Sequence, residues 1–150
     1  MACEHCLRFV TSAEAEVEVL PWGQHEWLSR AGLTGAEQLQ VVRVTMPPGQ
    51  SHRFHRHPGF EEVLYFLSGR AEQWVGAEKR VLKAGEVAFV PRNEVHGTYN
   101  VFDEPLVFLA ILSPAKLPDP LASAPDPVDV SAQEPWASIR KGMTACVTRF

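Results

Sequence analysis

Residues 49–69 read GQSHRFHRHPGFEEVLYFLSG and carry the densest group of potential metal donors in the chain. His55 and His57 are two positions apart, so a β-strand places both imidazoles on the same face. The proline and glycine at 58–59 favour a turn. A strand returning from that turn can bring the carboxylate of Glu62 beside the two imidazoles. The stretch therefore predicts two strands with three donors near their junction.

A second stretch, residues 85–100, reads GEVAFVPRNEVHGTYN and places His96 at the start of another strand. Imidazole and carboxylate donors suit zinc, iron, nickel, copper or manganese, and two histidines with one carboxylate are used by non-haem iron oxygenases. The predicted cofactor is one divalent transition metal ion. Its predicted ligands are His55, His57, Glu62 and His96.

The two stretches resemble the two motifs of the cupin superfamily, in particular small single-domain metal-binding cupins of the conserved-barrel type. The first motif is glycine, five residues, His-x-His, a short gap, glutamate, six residues and glycine, and residues 49–69 contain every landmark. Residues 85–100 match the second motif except at Asn93, where the family has glycine. Asparagine tolerates the left-handed backbone conformation better than most residues, so we expect the turn to persist.

The resemblance also distinguishes between the adjacent Glu61 and Glu62. The family spacing of six residues before the closing glycine selects Glu62, because six residues separate it from Gly69. Glu61 should then point to the opposite face of its strand.

Short β-type runs separated by turn residues fill the chain between positions 16 and 112, which predicts an all-β fold. The resemblance implies a double-stranded β-helix, or jelly-roll, barrel over residues 16–112, after an N-terminal segment at 1–15. Six prolines lie between 113 and 135 and exclude a regular helix or central strand, so 113–150 is predicted to be a Pro-rich arm and C-terminal tail. The predicted strands are 16–20, 24–28, 37–46, 51–57, 61–67, 71–75, 80–82, 87–90, 96–101 and 106–112.

Composition narrows the class of protein. A chain of 150 residues with 45% hydrophobic content can bury a core as one domain without disulfide support. The net charge of -4 comes with no basic stripe, which argues against nucleic acid as a partner. The longest apolar run, residues 106–112, is far shorter than the roughly 20 residues of a membrane-spanning helix, so we expect no membrane span.

The amino terminus and the cysteines bear on location. The first five residues lack the basic flank and apolar core of a secretory signal, so a cytoplasmic location is expected. The three cysteines suit reduced thiols better than a disulfide framework. Cys3, His5 and Cys6 resemble half of a zinc site, but free thiols are favoured, because a structural zinc site normally has two ligand pairs.

Strand parity predicts which side chains face the barrel interior. Ser51 and Arg53 share the parity of His55 and should line the cavity unless a bulge intervenes. Arg53 is thus a candidate substrate-binding residue for an anion, with a salt bridge at the barrel rim as the alternative. The same parity directs Leu64 and Phe66 inward with Glu62, and Thr98 and Asn100 inward with His96.

The opposite parity applies to His52 and Arg56, which are expected at the surface or at an interface. His25 has no motif partner and is interpreted as an ordinary strand residue. Tyr65, Trp74 and Tyr99 are expected in packing.

Cupins host many unrelated activities, so the resemblance implies a metal centre without defining a reaction. We favour an enzyme acting on a small organic molecule, with dioxygenase-like chemistry. One alternative is a non-redox isomerase or lyase in which Glu62 or Tyr99 moves a proton. Another is a module that binds a small ligand without catalysis.

Resemblance to small cupins implies a homodimer, and two-fold dimers are the commonest soluble oligomers. We expect the terminal segment 136–150 near the interface. The alternatives are that it folds back on its own subunit or is disordered.

Overall fold

The computed structural model describes residues 4–118 and 121–144. These ranges contain two short helices, a 3₁₀ turn at Leu121–Ser123 and eleven strands, and all ten strands predicted before residue 113 form. The strands are β1 (Glu16–Leu20), β2 (Gly23–Ser29), β3 (Gln40–Met46), β4 (Ser51–Arg56), β5 (Glu61–Ser68), β6 (Arg70–Val75), β7 (Glu78–Lys83), β8 (Val87–Val90), β9 (His96–Tyr99), β10 (Leu106–Ser113) and β11 (Val128–Asp129). The helices are α1 (Ala31–Thr34) and α2 (Trp136–Ile139).

The strands form two antiparallel sheets, as the all-β prediction requires. The six-stranded sheet has the order β1-β2-β3-β10-β5-β8, and the five-stranded sheet has the order β11-β4-β9-β6-β7. Alternation along the strands directs one face of each sheet inward. On β10, for example, every second residue from Leu106 is buried. The helices of the described residues lack the length and apolar character needed to cross a bilayer.

The main core lies on the inner face of the six-stranded sheet. Leu64 and Phe66 are among its buried residues, which confirms their predicted inward direction. Burial of such side chains contributes about 1.5–3 kcal/mol each. The buried members are Trp22, Val42, Val44, Met46, Leu64, Phe66, Ala71, Ala88, Leu106, Phe108, Ala110 and Leu112.

A β-bulge interrupts the pairing of β4 with β9. His52 pairs with Thr98, and His55 pairs with His96. The two paired residues are three positions apart on β4 but only two positions apart on β9, so β4 contains one extra residue. The extra residue reverses the alternation between the two ends of β4. His52 and His55 consequently both face inward, although their sequence parity is opposite.

The chain beyond β10 folds back onto its own barrel. β11 pairs with β4 as an edge strand, a position in which neighbouring prolines are tolerated. The Trp136 ring packs against Phe54 at a centroid distance of 5.3 Å, and Arg140 forms a salt bridge of 2.6 Å with Glu72. Residues 136–144 therefore fold back on their own subunit, one of the alternatives for the tail, and cover the outer face of the five-stranded sheet. Residues 145–150 lie outside the described ranges.

Candidate metal centre

Two neighbouring strands bring three histidines together. His55 on β4 lies opposite His96 on β9, and His57 directly follows β4. All three are buried, and their nearest nitrogen atoms lie within 4.8 Å of one another. Three imidazoles at this spacing can contact one metal ion.

Each imidazole is oriented through its Nδ1 atom. His55 Nδ1 is 2.6 Å from the carbonyl oxygen of Arg53, and His96 Nδ1 is 3.0 Å from that of Glu94. His57 Nδ1 is 2.6 Å from the carboxylate of Asp126. Because these oxygens accept, the hydrogen belongs on Nδ1 and the Nε2 lone pair is available to a metal, as in most histidine metal sites.

Glu62 reaches the histidines from the facing six-stranded sheet. Its Oε2 atom lies 3.0 Å from His96 Nε2 and 3.6 Å from His57 Nε2. Glu62 is 6% exposed whereas Glu61 is exposed to solvent, so the choice between the two carboxylates agrees with the structure.

Two atoms of this group are buried without hydrogen bonds. Neither Glu62 Oε2 nor His96 Nε2 has a hydrogen-bond partner among the described residues, although the two atoms are close. Burial of polar atoms without partners is unfavourable. A divalent cation between them would compensate both atoms, so the donor set fits the metal that the sequence predicts.

The protonation states suit a cation. Burial and then the neighbouring imidazoles hold the pKa of His55 well below its ordinary value, which leaves the ring neutral. Burial alone would raise the pKa of Glu62, but interactions with His96 and then His57 outweigh it and lower the pKa. Glu62 is therefore ionised. A neutral imidazole and an ionised carboxylate are the forms that bind metals.

The turn before His96 has the conformation expected for Asn93. Asn93 has a φ of 63°, and no other non-glycine residue in the described ranges has a positive φ. Asn93 also binds the end of β4, because its N–H donates to the carbonyl of His57 and its Oδ1 accepts from Arg56. Asparagine in place of glycine thus preserves the turn and adds contacts that hold the two ligand segments together.

A cavity of about 710 Å³ adjoins the histidines. Its walls are predominantly apolar, and Thr98 lines it as strand parity predicts. Trp27 also lines it, and its indole Nε1 is buried without a hydrogen-bond partner among the described residues. The apolar lining comprises Leu20, Trp22, Trp27, Val42, Val44, Phe60, Leu64, Phe108, Ala110, Leu112, Ala115, Leu117, Leu121, Ala122, Ala124 and Pro127.

Two further histidines line this cavity, contrary to the sequence-based interpretation. His52 stacks between Trp22 and His55, with centroid distances of 4.7 and 3.7 Å. It faces inward because of the β4 bulge. His25 lies on β2, where its Nδ1 is 3.1 Å from Glu18. His25 and Trp27 are two positions apart in the sequence, and this spacing places both side chains on the same face of a strand.

Asp126 was not identified from the sequence. It lies between prolines in the segment predicted to be an arm, and its position relative to His57 depends on how that segment folds back. No local pattern indicates such a contact across 69 positions.

Several residues expected inside the barrel lie elsewhere. Ser51 and Arg53 do not line the cavity, because the bulge separates their orientation from that of His55. The Arg53 guanidinium donates to Asp129 at 2.7 Å, which matches the salt-bridge alternative and removes the geometric reason for a substrate-binding role. Asn100 is buried and donates to the carbonyls of Met46 and Glu104.

Tyr99 faces away from the cavity. Its hydroxyl accepts from the Phe54 N–H, and the Arg140 guanidinium lies 3.9 Å from its ring centroid. It packs with Trp74 on the outer face of the five-stranded sheet. The suggestion that Tyr99 moves a proton at the metal is therefore wrong.

The expectation of free thiols is wrong for Cys6, which is disulfide-bonded. Its partner lies outside the described residues, as does Cys3. A zinc site that uses a Cys6 thiolate is incompatible with this bond.

Two antiparallel sheets that enclose three converging histidines and a glutamate define the cupin class. The chain belongs to the cupin family, and a family model for the cupin domain matches residues 42–112. This confirms the resemblance drawn from the two motifs.

The chain is similar to proteins associated with oxalate. It is 40% identical over 81 residues to oxalate decarboxylase OxdC of Bacillus subtilis, a match that covers 51% of this chain and 21% of OxdC. It is 34% identical over 85 residues to the oxalate-binding protein of Thermotoga maritima, covering 57% of this chain and 69% of that protein. The chain thus spans about a fifth of the decarboxylase.

The fold is also that of KdgF from Halomonas sp. The two structures superimpose with a TM-score of 0.64 over 73% of this chain and 96% of KdgF, at 22% identity. The similarity at this identity concerns the architecture alone.

Proposed function

We propose that this protein is an enzyme that holds one divalent transition metal ion through His55, His57, Glu62 and His96. It acts on a small organic molecule in the adjoining cavity, with dioxygenase-like chemistry. The observation that carries the proposal is the convergence of three Nδ1-anchored imidazoles on the buried, unpartnered Oε2 of Glu62. Such an arrangement has no evident purpose in packing, because it leaves polar atoms unsatisfied.

An ion held there would supply Lewis acidity and, for iron, manganese or copper, redox activity toward dioxygen. The protein contributes the cavity. Its walls are largely apolar, and the histidine group lies at one side of it. These features suit a substrate with an apolar body and an oxygen-bearing end.

His25 is the candidate for proton transfer. It lines the same cavity from the six-stranded sheet, and the Glu18 carboxylate orients its ring. Burial lowers its pKa, with Glu18 acting in the opposite direction. A largely neutral imidazole in a water-poor cavity can accept a proton from a substrate.

A second candidate function, a lyase acting on a small dicarboxylate, is favoured by the similarity to oxalate decarboxylase. That decarboxylase contains Mn(II) centres. The large apolar cavity argues against oxalate itself as the substrate, because oxalate has no apolar surface to bury there. The name of the Thermotoga relative supports a third candidate, a module that binds without turnover.

Metal analysis followed by a substrate panel separates these functions. The full chain is purified without added metal, its metal content is measured, and oxygen uptake is followed with aromatic and aliphatic compounds that carry adjacent oxygens. Uptake that depends on both compound and metal supports the dioxygenase. Carbon dioxide release without oxygen uptake supports the lyase, and tight binding without turnover supports the binding module. A chain that retains no metal and takes none up on titration contradicts the proposal.

A further inference from the structure

The described residues 114–118 and 121–130, here called the arm, contact the ligand-bearing segment of the barrel at three places. Leu117 rests on Gly59, where an added Cβ would come 2.5 Å from the leucine Cδ2. Asp126 contacts His57. Val128 and Asp129, as β11, pair with Arg56 and His55 on β4. The arm is thus attached to β4, to His57 and to the turn that connects His57 to Glu62.

Asp126 differs from the acceptors that orient the other two histidines. His55 and His96 bind main-chain carbonyls two residues before them, on their own segments. These contacts persist whenever the strands are formed. The acceptor for His57 instead comes from a position 69 residues away, so the orientation of this ring depends on the docking of the arm.

The same arm forms one wall of the cavity. Eight of its residues line the cavity: Ala115, Lys116, Leu117, Leu121, Ala122, Ala124, Asp126 and Pro127. Movement of the arm would therefore open the cavity and remove the acceptor from His57 at the same time.

We propose that Asp126 is a positioning residue for His57 and that it couples closure of the cavity to metal occupancy. The inference rests on the proposed metal site. The Asp126 oxygen accepts the Nδ1 hydrogen and directs the Nε2 lone pair toward Glu62, whose Oε2 is 3.6 Å away. A carboxylate acceptor also makes the imidazole a stronger donor to the ion. Since coupling between two sites is reciprocal, an ion bound to His57 stabilises the docked arm to the same degree.

Titration of the full chain with Mn(II) alone tests the inference. Asp126→Ala should weaken Mn(II) binding by about 10- to 100-fold, the usual effect of losing an outer partner of a ligand. Asp126→Asn should recover most of that loss, because its amide oxygen still accepts from Nδ1. Asp129→Ala is the matched control. This variant also replaces an aspartate of the arm by alanine, but the Asp129 side chain binds Arg53 and not a histidine.

Hydrogen exchange of the arm supplies a second readout. Mn(II) should increase protection of residues 121–130 in the wild-type protein, and Asp126→Ala should abolish the increase. Cobalt(II) absorption spectra should show altered coordination in Asp126→Ala but not in Asp129→Ala.

The outcomes separate this inference from the proposed function. If the wild-type chain binds no metal, both are overturned. If it binds Mn(II) and Asp126→Ala binds equally well, only the inference is overturned. Equal losses in Asp126→Ala and Asp129→Ala would also overturn it, because they would indicate general loosening of the arm. Retention of metal-dependent protection in Asp126→Ala would overturn the coupling.

Discussion

His96 Nε2 and Glu62 Oε2 lie 3.0 Å apart, one on each of the two sheets, without forming a hydrogen bond. This contact across the barrel joins the imidazoles of the five-stranded sheet to the carboxylate of the six-stranded sheet. Two buried acceptor atoms at this distance are stable only with a cation or a shared proton between them.

Glu62→Gln should weaken metal binding by more than about 100-fold, because it removes the anionic donor while keeping the side-chain shape. The measurement is metal content after purification, followed by titration. Glu61→Gln is the control, because this neighbour is exposed and should retain full affinity. Equal affinity of the two variants would exclude Glu62 as a ligand.

His57 and His52 should respond differently to truncation. His57→Ala should lose most of its metal, since one of three converging imidazoles is removed. His52→Ala should retain metal, because its ring stacks on His55 without belonging to the converging group. Elemental analysis of both proteins, with circular dichroism to verify folding, is the measurement. The assignment is wrong if both variants lose metal equally.

Metal affinity should fall as the pH is lowered, because protons compete for the imidazoles. Burial alone would lower the pKa of His57, but the Asp126 and Glu62 carboxylates outweigh it and raise the pKa above its ordinary value. A proton must therefore leave His57 on metal binding even at pH values somewhat above the ordinary histidine range. Below the raised pKa, affinity should decrease by about tenfold per pH unit for one displaced proton. Titrations between pH 5.5 and 8.5, at about 0.5-unit steps, would detect this slope. A metal affinity that does not change with pH would show that no proton leaves His57 on metal binding.

His25→Ala should reduce turnover by about 10²- to 10⁴-fold, the usual range for a lost acid–base group, while metal content stays unchanged. Glu18→Gln should cause a smaller loss, because it weakens the orientation of the ring without removing it. The assay uses whichever compound the substrate panel identifies. The exposed His5 provides a matched His→Ala control. Unchanged turnover in His25→Ala would exclude its role.

The predicted homodimer now has a candidate surface. Tyr65 and Leu67 on β5, with Val87 and Phe89 on β8, are 38–53% exposed on the outer face of the six-stranded sheet. An exposed apolar strip of this kind favours association with a second copy. Phe89→Glu should convert the dimer to a monomer in light scattering, whereas Val81→Glu, an equally exposed site on the other sheet, should not. A monomeric mass for the unmodified chain would exclude the dimer.

Local patterns in the sequence were sufficient for the strands and for the grouping of the four candidate ligands. The motif spacing to Gly69 selects Glu62, and alternation within β5 then places Glu61 on the opposite face, because both depend on a single strand. The positive φ of Asn93 likewise follows from the intrinsic tolerance of asparagine. Each of these features is determined by residues close together in the chain.

Tertiary pairing decided the rest of the site. The inward direction of His52 and the displacement of Arg53 follow from a bulge that exists only because β4 pairs with β9. His25 and Asp126 reach the cavity from segments distant in sequence, and the tail covers the outer face of its own barrel. Parity within one strand contains no information about these contacts, because they depend on which strands pair, in what register, and where the chain after β10 can bury its apolar side chains.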